Sequence, residues 1–433
     1  MKRNGWGRVT TIVWVAAVLA CGGTGGDTSS GSAPQPTVVS VSPAPDDSAA
    51  SAVAVVSATF DANMGAASAA TFVVYGSLTG KRSGTFSGGG TALLSFDPSG
   101  NFKAGELVEV TLTQGLASTG GLALDPPYVF RFTVESGGGT GAFVDTQTIA
   151  GRTNAVAVAA GDWDGDGDVD LATADFGADR IAILANNGAG VFSAAATLTG
   201  QVGVSALAVG DWDGDGDPDL AAADFGSNSV AILKNDGSFN FRLSGTVAGR
   251  LGAKALTVGD WDGDGDLDLA AANFGSITVA VLTNDGTGVF AISATVTGMT
   301  NARALAAGDW DGDGAPDLAV GNSGSSSVAI LKNNGLGVFA PVQSITSQTT
   351  VAALIAGDWD ADGDLDLAVA NFGSDSLTVL TNTGSGSFSP LGTVAGLIGI
   401  SGLATGDFNA DGSLDLAAAD RGSNSVQILI NQP

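Results

Sequence analysis

The chain has 433 residues and a formal net charge of −28, from 44 acidic against 16 basic side chains, with no histidine and a single cysteine. The missing histidine removes Ser-His-Asp and Cys-His catalysis, imidazole zinc sites and histidine general bases, and one cysteine leaves no intrachain disulfide or thiolate cluster. So acidic a chain lacks the Lys and Arg that a phosphate backbone demands, which sets nucleic acid aside, and 66 glycines beside three glutamates favour short strands over long helices.

Residues 1–20 read as an export signal. Lys2, Arg3 and Arg8 precede an apolar run, Val9–Leu19, that is too short to span a bilayer. The run ends Val18-Leu19-Ala20-Cys21, which resembles the lipobox of bacterial lipoproteins. That resemblance implies cleavage before Cys21, lipidation of its thiol, and an exported protein anchored at the outer membrane or cell surface. Residues 21–35, rich in Gly, Ser and Thr, cannot bury a core and read as a flexible tether.

Residues 36–136 alternate short apolar runs with turn residues. Val38–Val41, Val53–Phe60, Thr71–Tyr75, Thr91–Phe96, Leu107–Thr113 and Tyr128–Val134 have the spacing of strands in a β-sandwich. The stretch PTVVSVSPAPDD…VSATFDANM…TFVVYG…GELVEVTLTQGL…YVFRFTV resembles a bacterial Ig-like domain, which implies a spacer held together by packing alone. A glycine-rich linker, 137–141, marks the boundary with the rest, 142–433.

There a nine-residue stretch, Asp162-Trp-Asp-Gly-Asp-Gly-Asp-Val-Asp170, recurs at 49-residue intervals, six times in all. Position 1 is Asp162, Asp211, Asp260, Asp309, Asp358 and Asp407; position 3 is Asp164, Asp213, Asp262, Asp311, Asp360 and Asn409. Position 5 is Asp166, Asp215, Asp264, Asp313, Asp362 and Asp411; position 9 is Asp170, Asp219, Asp268, Asp317, Asp366 and Asp415. Carboxylates at 1, 3, 5 and 9 of a tight loop converge on one hard cation, and Gly at position 6 supplies the sharp turn a calcium loop needs. Position 7 varies (Asp168, Asp217, Asp266, Ala315, Asp364, Ser413), as expected where the backbone carbonyl is the ligand. Metal-free, carboxylates about 4 Å apart repel by about 4 kcal/mol per pair at an effective dielectric of 20, so such crowding calls for a cation. The twelfth position carries Thr173, Ala222, Ala271, Val320, Val369 and Ala418 where an EF-hand needs Glu, which disfavours that motif.

Each repeat holds four strand-like runs. In the first they are Ala155–Ala160, Leu171–Ala174, Arg180–Leu184 and Val191–Leu198, almost continuously apolar, as for sheets covered on both faces. The sequence GDWDGDGDLDLAAANFGS…VAVLTNDGTGVF resembles the FG-GAP/VCBS repeat. The resemblance implies an all-β chain: a six-bladed β-propeller of four-stranded blades with about six calcium ions, one per blade, preceded by the Ig-like β-sandwich. The register of Phe143, Phe192, Phe241, Phe290, Phe339 and Phe388 implies that a strand near Phe143–Ile149 completes the last blade as a clasp. At position 2, Trp163, Trp212, Trp261, Trp310, Trp359 and Phe408 should point away from the metal; packing between blades is preferred to a ring of sugar-stacking platforms.

A non-enzymatic interaction or adhesion module follows from these features, with a carbohydrate-binding, lectin-like propeller as the alternative. No nucleophile is paired with a base, and nearly all the propeller's carboxylates are committed to metal loops. The expected partner is a protein or glycan at the cell surface, with the membrane engaged by the lipid anchor and the chain monomeric. The metal loops and the Asn-Gly or Asp-Gly turns share one face of the disc. The opposite face varies between copies and gathers Arg152, Arg250, Lys254 and Arg303, which makes it the candidate ligand face, with drift in unconstrained loops as the alternative.

Overall fold

The structure, a computed structural model, describes residues 34–47, 49–135, 147, 149–249, 252–406, 413–422 and 425–431. The expected signal segment, Cys21, the linker 137–141, Phe143, Arg250, Phe408 and the loop residues Asp407, Asn409 and Asp411 lie outside the described residues.

The N-terminal domain is a sandwich of two four-stranded sheets. Strands β1 (Val38–Ser42), β2 (Val56–Phe60), β5 (Gly84–Ser87) and β6 (Leu93–Pro98) form one sheet in the order β1-β2-β6-β5. Strands β3 (Phe72–Gly76), β4 (Gly80–Lys81), β7 (Leu107–Leu112) and β8 (Tyr128–Thr133) form the other, in the order β4-β3-β7-β8. Strict alternation explains the packing: in β2, Val56, Ala58 and Phe60 are buried while Ser57 and Thr59 between them are not. The core between the sheets includes Phe72, Leu94, Phe96, Val108, Val110 and Phe132. Six strands were expected and eight are present. Strands β4 and β5 escape sequence reading because they are two and four residues long and their Gly, Ser and Lys carry no apolar period.

Six antiparallel sheets follow, five of four strands and one that has three among the described residues. The first is built from β9 (Ala155–Gly161), β10 (Asp170–Asp175), β11 (Arg180–Asn186) and β12 (Phe192–Thr199), hydrogen-bonded in chain order. The first strand of each sheet packs on the first strand of the next, which places these strands innermost, in a propeller arrangement. The expectation of strands covered on both faces holds for the second and third strands of the first five sheets: Asp219–Asp224 is buried throughout, on small alanines that let neighbouring sheets approach, whereas Ser425–Leu429 of the sixth sheet has no buried residue. It fails for the fourth strands. Phe192–Thr199 has no buried residue, because the outermost strand meets solvent at the rim.

Two contacts recur at the junctions, a ring pair at four of them and an asparagine bond at five. The indole of Trp163 stands edge-on to Phe241 of the following sheet, with centroids 6.1 Å apart, and Trp212–Phe290, Trp261–Phe339 and Trp310–Phe388 repeat the pair at 5.5–5.8 Å. An asparagine after the third strand reaches back to the preceding sheet. Asn235 Nδ2 donates to the Trp163 carbonyl at 2.9 Å, and Asn284, Asn333, Asn382 and Asn431 do the same to Trp212, Trp261, Trp310 and Trp359. With Trp163, Trp212, Trp261 and Trp310 wholly buried, the tryptophans are junction packing and have no face free for a sugar.

Trp261→Ala is therefore expected to cost about 3–5 kcal/mol of unfolding free energy, as for other buried large aromatics, with Trp261→Phe costing less. Urea unfolding of the cation-loaded protein measures it. A loss below about 1 kcal/mol, the range of an ordinary surface change, would remove the ring from the junction's stability.

Candidate metal centres

Each loop joins the first strand of its sheet to the second, so its ends are fixed by a strand pair: Gly161 lies opposite Asp170, and Gly210 opposite Asp219. Between them the chain turns back sharply. The position-6 glycines Gly167, Gly216, Gly265, Gly314 and Gly363 have φ between +84° and +101°, a region costly for any residue with a Cβ. Their amides donate to the position-1 carboxylate, as in Gly216 to Asp211 Oδ2 at 2.9 Å and Gly314 to Asp309 Oδ2 at 2.8 Å.

The fold gathers three carboxylates per loop. Asp162, Asp164 and Asp170 each offer an oxygen to a group spanning no more than 4.8 Å. Asp211, Asp213 and Asp219; Asp260, Asp262 and Asp268; Asp309, Asp311 and Asp317; and Asp358, Asp360 and Asp366 repeat it. These are positions 1, 3 and 9. The position-5 carboxylate stands outside these groups and accepts the position-7 amide, as in Asp168 N to Asp166 Oδ1 at 2.8 Å and Asp217 N to Asp215 Oδ1 at 2.9 Å. Of the sixth loop only residues 413–415 are described, with Ser413 and Asp415 as its ligand positions.

The residues fit a hard cation by a further observation. In every described loop one carboxylate oxygen at position 1 or 3 is buried without a hydrogen-bond partner: Oδ1 of Asp162, Asp213, Asp262, Asp311 and Asp358. A buried carboxylate oxygen left bare is costly, and one in each of five loops, at position 1 or 3, points to a ligand that completes them. A cation held by positions 1, 3 and 9 would neutralise them and tie the two strands together at the loop.

Sequence reasoning missed two supports. Position 9 is buried and accepts two backbone amides: Asp219 takes Asn235 N at 2.7 Å and Trp212 N at 3.0 Å, and Asp268 takes Asn284 N and Trp261 N in the same way. The repeated Asn preceding the Asn-Gly or Asp-Gly turn was the available signal. The position-7 side chains of Asp168, Asp217, Asp266 and Asp364 lie against Gly188, Gly237, Gly286 and Gly384 of those turns, where a Cβ would sit 2.4–2.7 Å from a carboxylate oxygen. In two loops a lysine intrudes: Lys234 pairs with Asp213 at 3.1 Å, and Lys332 pairs with Asp311 and Asp313.

The Ig-like domain contacts the loops on this face. Lys103 Nζ donates to the Gly167 carbonyl at 2.6 Å, and the Lys81 amide to Asp211 Oδ2 at 3.0 Å. Thr111 Oγ1 donates to Asp260 Oδ2 at 2.7 Å, Glu109 accepts the Asp260 amide at 2.9 Å, and the Val129 amide donates to the Gly314 carbonyl at 2.6 Å. Val73 and Tyr75 join the apolar cluster around Trp212 and Leu267. Loops one to four thus each touch the sandwich through a loop residue.

Burial pushes these carboxyls up: Asp170 and Asp366 to about 6, Asp219 and Asp317 to about 8, with Asp260 driven well above the usual range by burial and next by Glu109. Metal-free, the folded chain therefore holds protons from about pH 4 to 8 that the unfolded chain has released, so its stability falls as pH rises through that window. A bound cation replaces those protons and reverses the slope. In chelator the melting temperature should drop between pH 5 and 8, whereas in excess calcium it should hold or rise; each site bound at 100 times its Kd adds about 2.7 kcal/mol. Identical melting profiles with and without chelator would show that these loops hold no cation.

Five overlapping segments, 162–222, 211–271, 260–320, 309–369 and 358–418, match the family model described as FG-GAP-like repeat, and residues 32–134 match that of a bacterial Ig-like domain. No curated protein matches the sequence. Among solved structures, a protein of unknown function from Desulfotomaculum acetoxidans is 14% identical with a TM-score of 0.50, covering 65% of this chain and 83% of its own. An Agrocybe aegerita lectin that recognises non-reducing terminal N-acetylglucosamine is 19% identical, with a TM-score of 0.44 and coverages of 83% and 96%. A catalytically inactive virginiamycin B lyase from Staphylococcus aureus is 12% identical, with a TM-score of 0.43 and coverages of 67% and 87%. The five matched repeats, each carrying its aspartate loop, place the chain in the FG-GAP-like repeat family, as a β-propeller protein with an N-terminal bacterial Ig-like domain.

Proposed function

We propose that the chain is a calcium-binding, lipid-anchored cell-envelope protein that works as a non-enzymatic interaction or adhesion module. The observation that carries this reading is the division of labour between the two faces of the disc. One face holds the carboxylate loops and is engaged by the Ig-like domain. The other holds the residues that differ between repeats. Calcium suits the loops because three carboxylates with backbone carbonyls nearby make an all-oxygen site of adaptable geometry, where magnesium demands a stricter octahedron. The ring is taken to close on six blades through the segment near Phe143. The absence of histidine, and a set of carboxylates spent on loops, leaves no acid–base pair for catalysis.

A lectin-like reading has its own support. A cavity of about 320 Å³ beside the fourth loop sets Asp311, Asp317, Lys332, Gln343, Ser385 and Ser387 against apolar Ile330 and Val342, a mixed lining that suits a sugar's hydroxyls and its apolar face.

Two measurements test the proposal. Cys21→Ser should move the protein from the membrane fraction to the soluble one; retention of the variant in the membrane fraction would count against a lipid anchor. A glycan array and a pull-down of envelope proteins, each run with calcium and with chelator, separate the two modes of binding. Calcium-dependent capture of a protein supports the module, and saturable glycan binding lost on Gln343→Ala supports the lectin reading. Turnover of a captured glycan would sink both.

A further inference from the structure

The ends of the sheets opposite the metal loops converge where the first strands begin and the second strands end. Four of the six turns there carry phenylalanine: Phe176, Phe225, Phe274 and Phe372. Three of the rings lie over a glycine of the next repeat, where a Cβ at Gly203, Gly252 or Gly399 would stand 3.0–3.5 Å from the ring edge. These contacts fix the rings in place.

Into this collar point cations from other repeats. Lys254, on the first strand of the third sheet, sets its Nζ 5.9 Å from the Phe176 centroid and 5.5 Å from that of Phe225. Arg303, on the first strand of the fourth sheet, sets its Cζ 5.8 Å from the Phe372 centroid. Arg421 takes the place of phenylalanine in the sixth repeat. Of the expected ligand-face residues, Arg152 is engaged elsewhere, in an ion pair with buried Asp175 at 3.6 Å.

Lys254, Arg303 and Arg421 have no ion pair and no hydrogen bond among the described residues, in a chain with 44 acidic side chains. Lys254 and Arg303 are half-buried, and each titrates low, first from burial and then from the next cation: Arg303 beside Lys254, and Arg421 beside Arg303. Aromatic faces relieve a buried cation by only about 0.5–2 kcal/mol and do nothing for repulsion between cations. Three cations without an ion pair, from three repeats and two of them held by rings, gather at one mouth and form a site that lacks its counter-charge.

We propose that this mouth binds a multivalent oxyanion, sulfate or phosphate, free or as an ester, between Lys254, Arg303 and Arg421, with Phe176, Phe225 and Phe372 holding the two half-buried cations in place. Arg303 and Arg421 supply the planar forks that match such oxygens two at a time. The inference rests on the reading that this face meets the partner, and gives that partner's chemistry. An isolated anionic group suits the site better than a polyanion, which the chain's net charge of −28 would repel.

The test uses the full chain loaded with calcium. Sodium sulfate and glycerol phosphate are titrated separately by calorimetry, with ionic strength matched by chloride. One saturable site with a Kd of about 1 mM or tighter is expected. Lys254→Gln with Arg303→Gln should weaken it at least tenfold, Arg303→Lys should keep most of it, and Arg242→Gln, at an exposed site elsewhere, should leave it unchanged. Saturation by sulfate marks a site for the free ion, and by glycerol phosphate alone a site for the ester. Because neutralising like charges relieves repulsion, the double variant should melt no lower than the parent in chloride. Unsaturated heats with both anions, equal binding by the double variant, or a collapse of its melting temperature would each overturn the proposal. If both anions fail while the partner screen succeeds, the oxyanion site falls and the interaction reading stands.

Discussion

The ninth carboxylate of loops two to five sits at the crossing of three constraints, and the junctions of these sheets draw on it. It is buried, it accepts the amide of the loop tryptophan, and it accepts the amide of the asparagine that follows the third strand. That asparagine spends its side-chain amide on the tryptophan carbonyl of the preceding sheet. One aspartate therefore links a loop to its own third strand and, through a single asparagine, to the neighbouring sheet. Its burial leaves a charge that a proton or a bound cation would neutralise, so a cation held at the loop would be coupled to sheet-to-sheet packing.

The Ig-like domain extends that dependence. Its contacts go to loop backbone and to position-1 carboxylates, the groups whose placement a cation would fix. Glu109, held by Arg131, faces Asp260 across the junction and adds a like charge to an already crowded loop. Docking and cation binding thus draw on the same atoms, and a cation at the third loop would relieve the repulsion that the docked domain adds. The opposite end of the sheets, where cations and rings differ from repeat to repeat, takes no part in these contacts.

The strand count per repeat, the loop positions and the aspartate pattern were legible in the sequence because each rests on local spacing: a period of 2 in strands, a 49-residue repeat, and turn residues at fixed offsets. The sandwich was legible for the six strands with apolar alternation and not for β4 and β5, which exist because a neighbouring strand pairs with them. The exposure of the fourth strands was hidden because their composition resembles that of buried strands; only their place at the rim exposes them.

Within the site, the sequence by itself determined which residues could be ligands, since residue type and spacing along one turn decide that. Tertiary structure decided how they meet, bringing oxygens of positions 1, 3 and 9 within 4.8 Å of one another while position 5 also accepts the position-7 amide. It alone decided that Arg152 belongs to a structural ion pair while Lys254, 78 residues from Phe176 in numbering, sits over that ring. Such pairings depend on how far each sheet is rotated about the common axis, a quantity that no stretch of one repeat encodes.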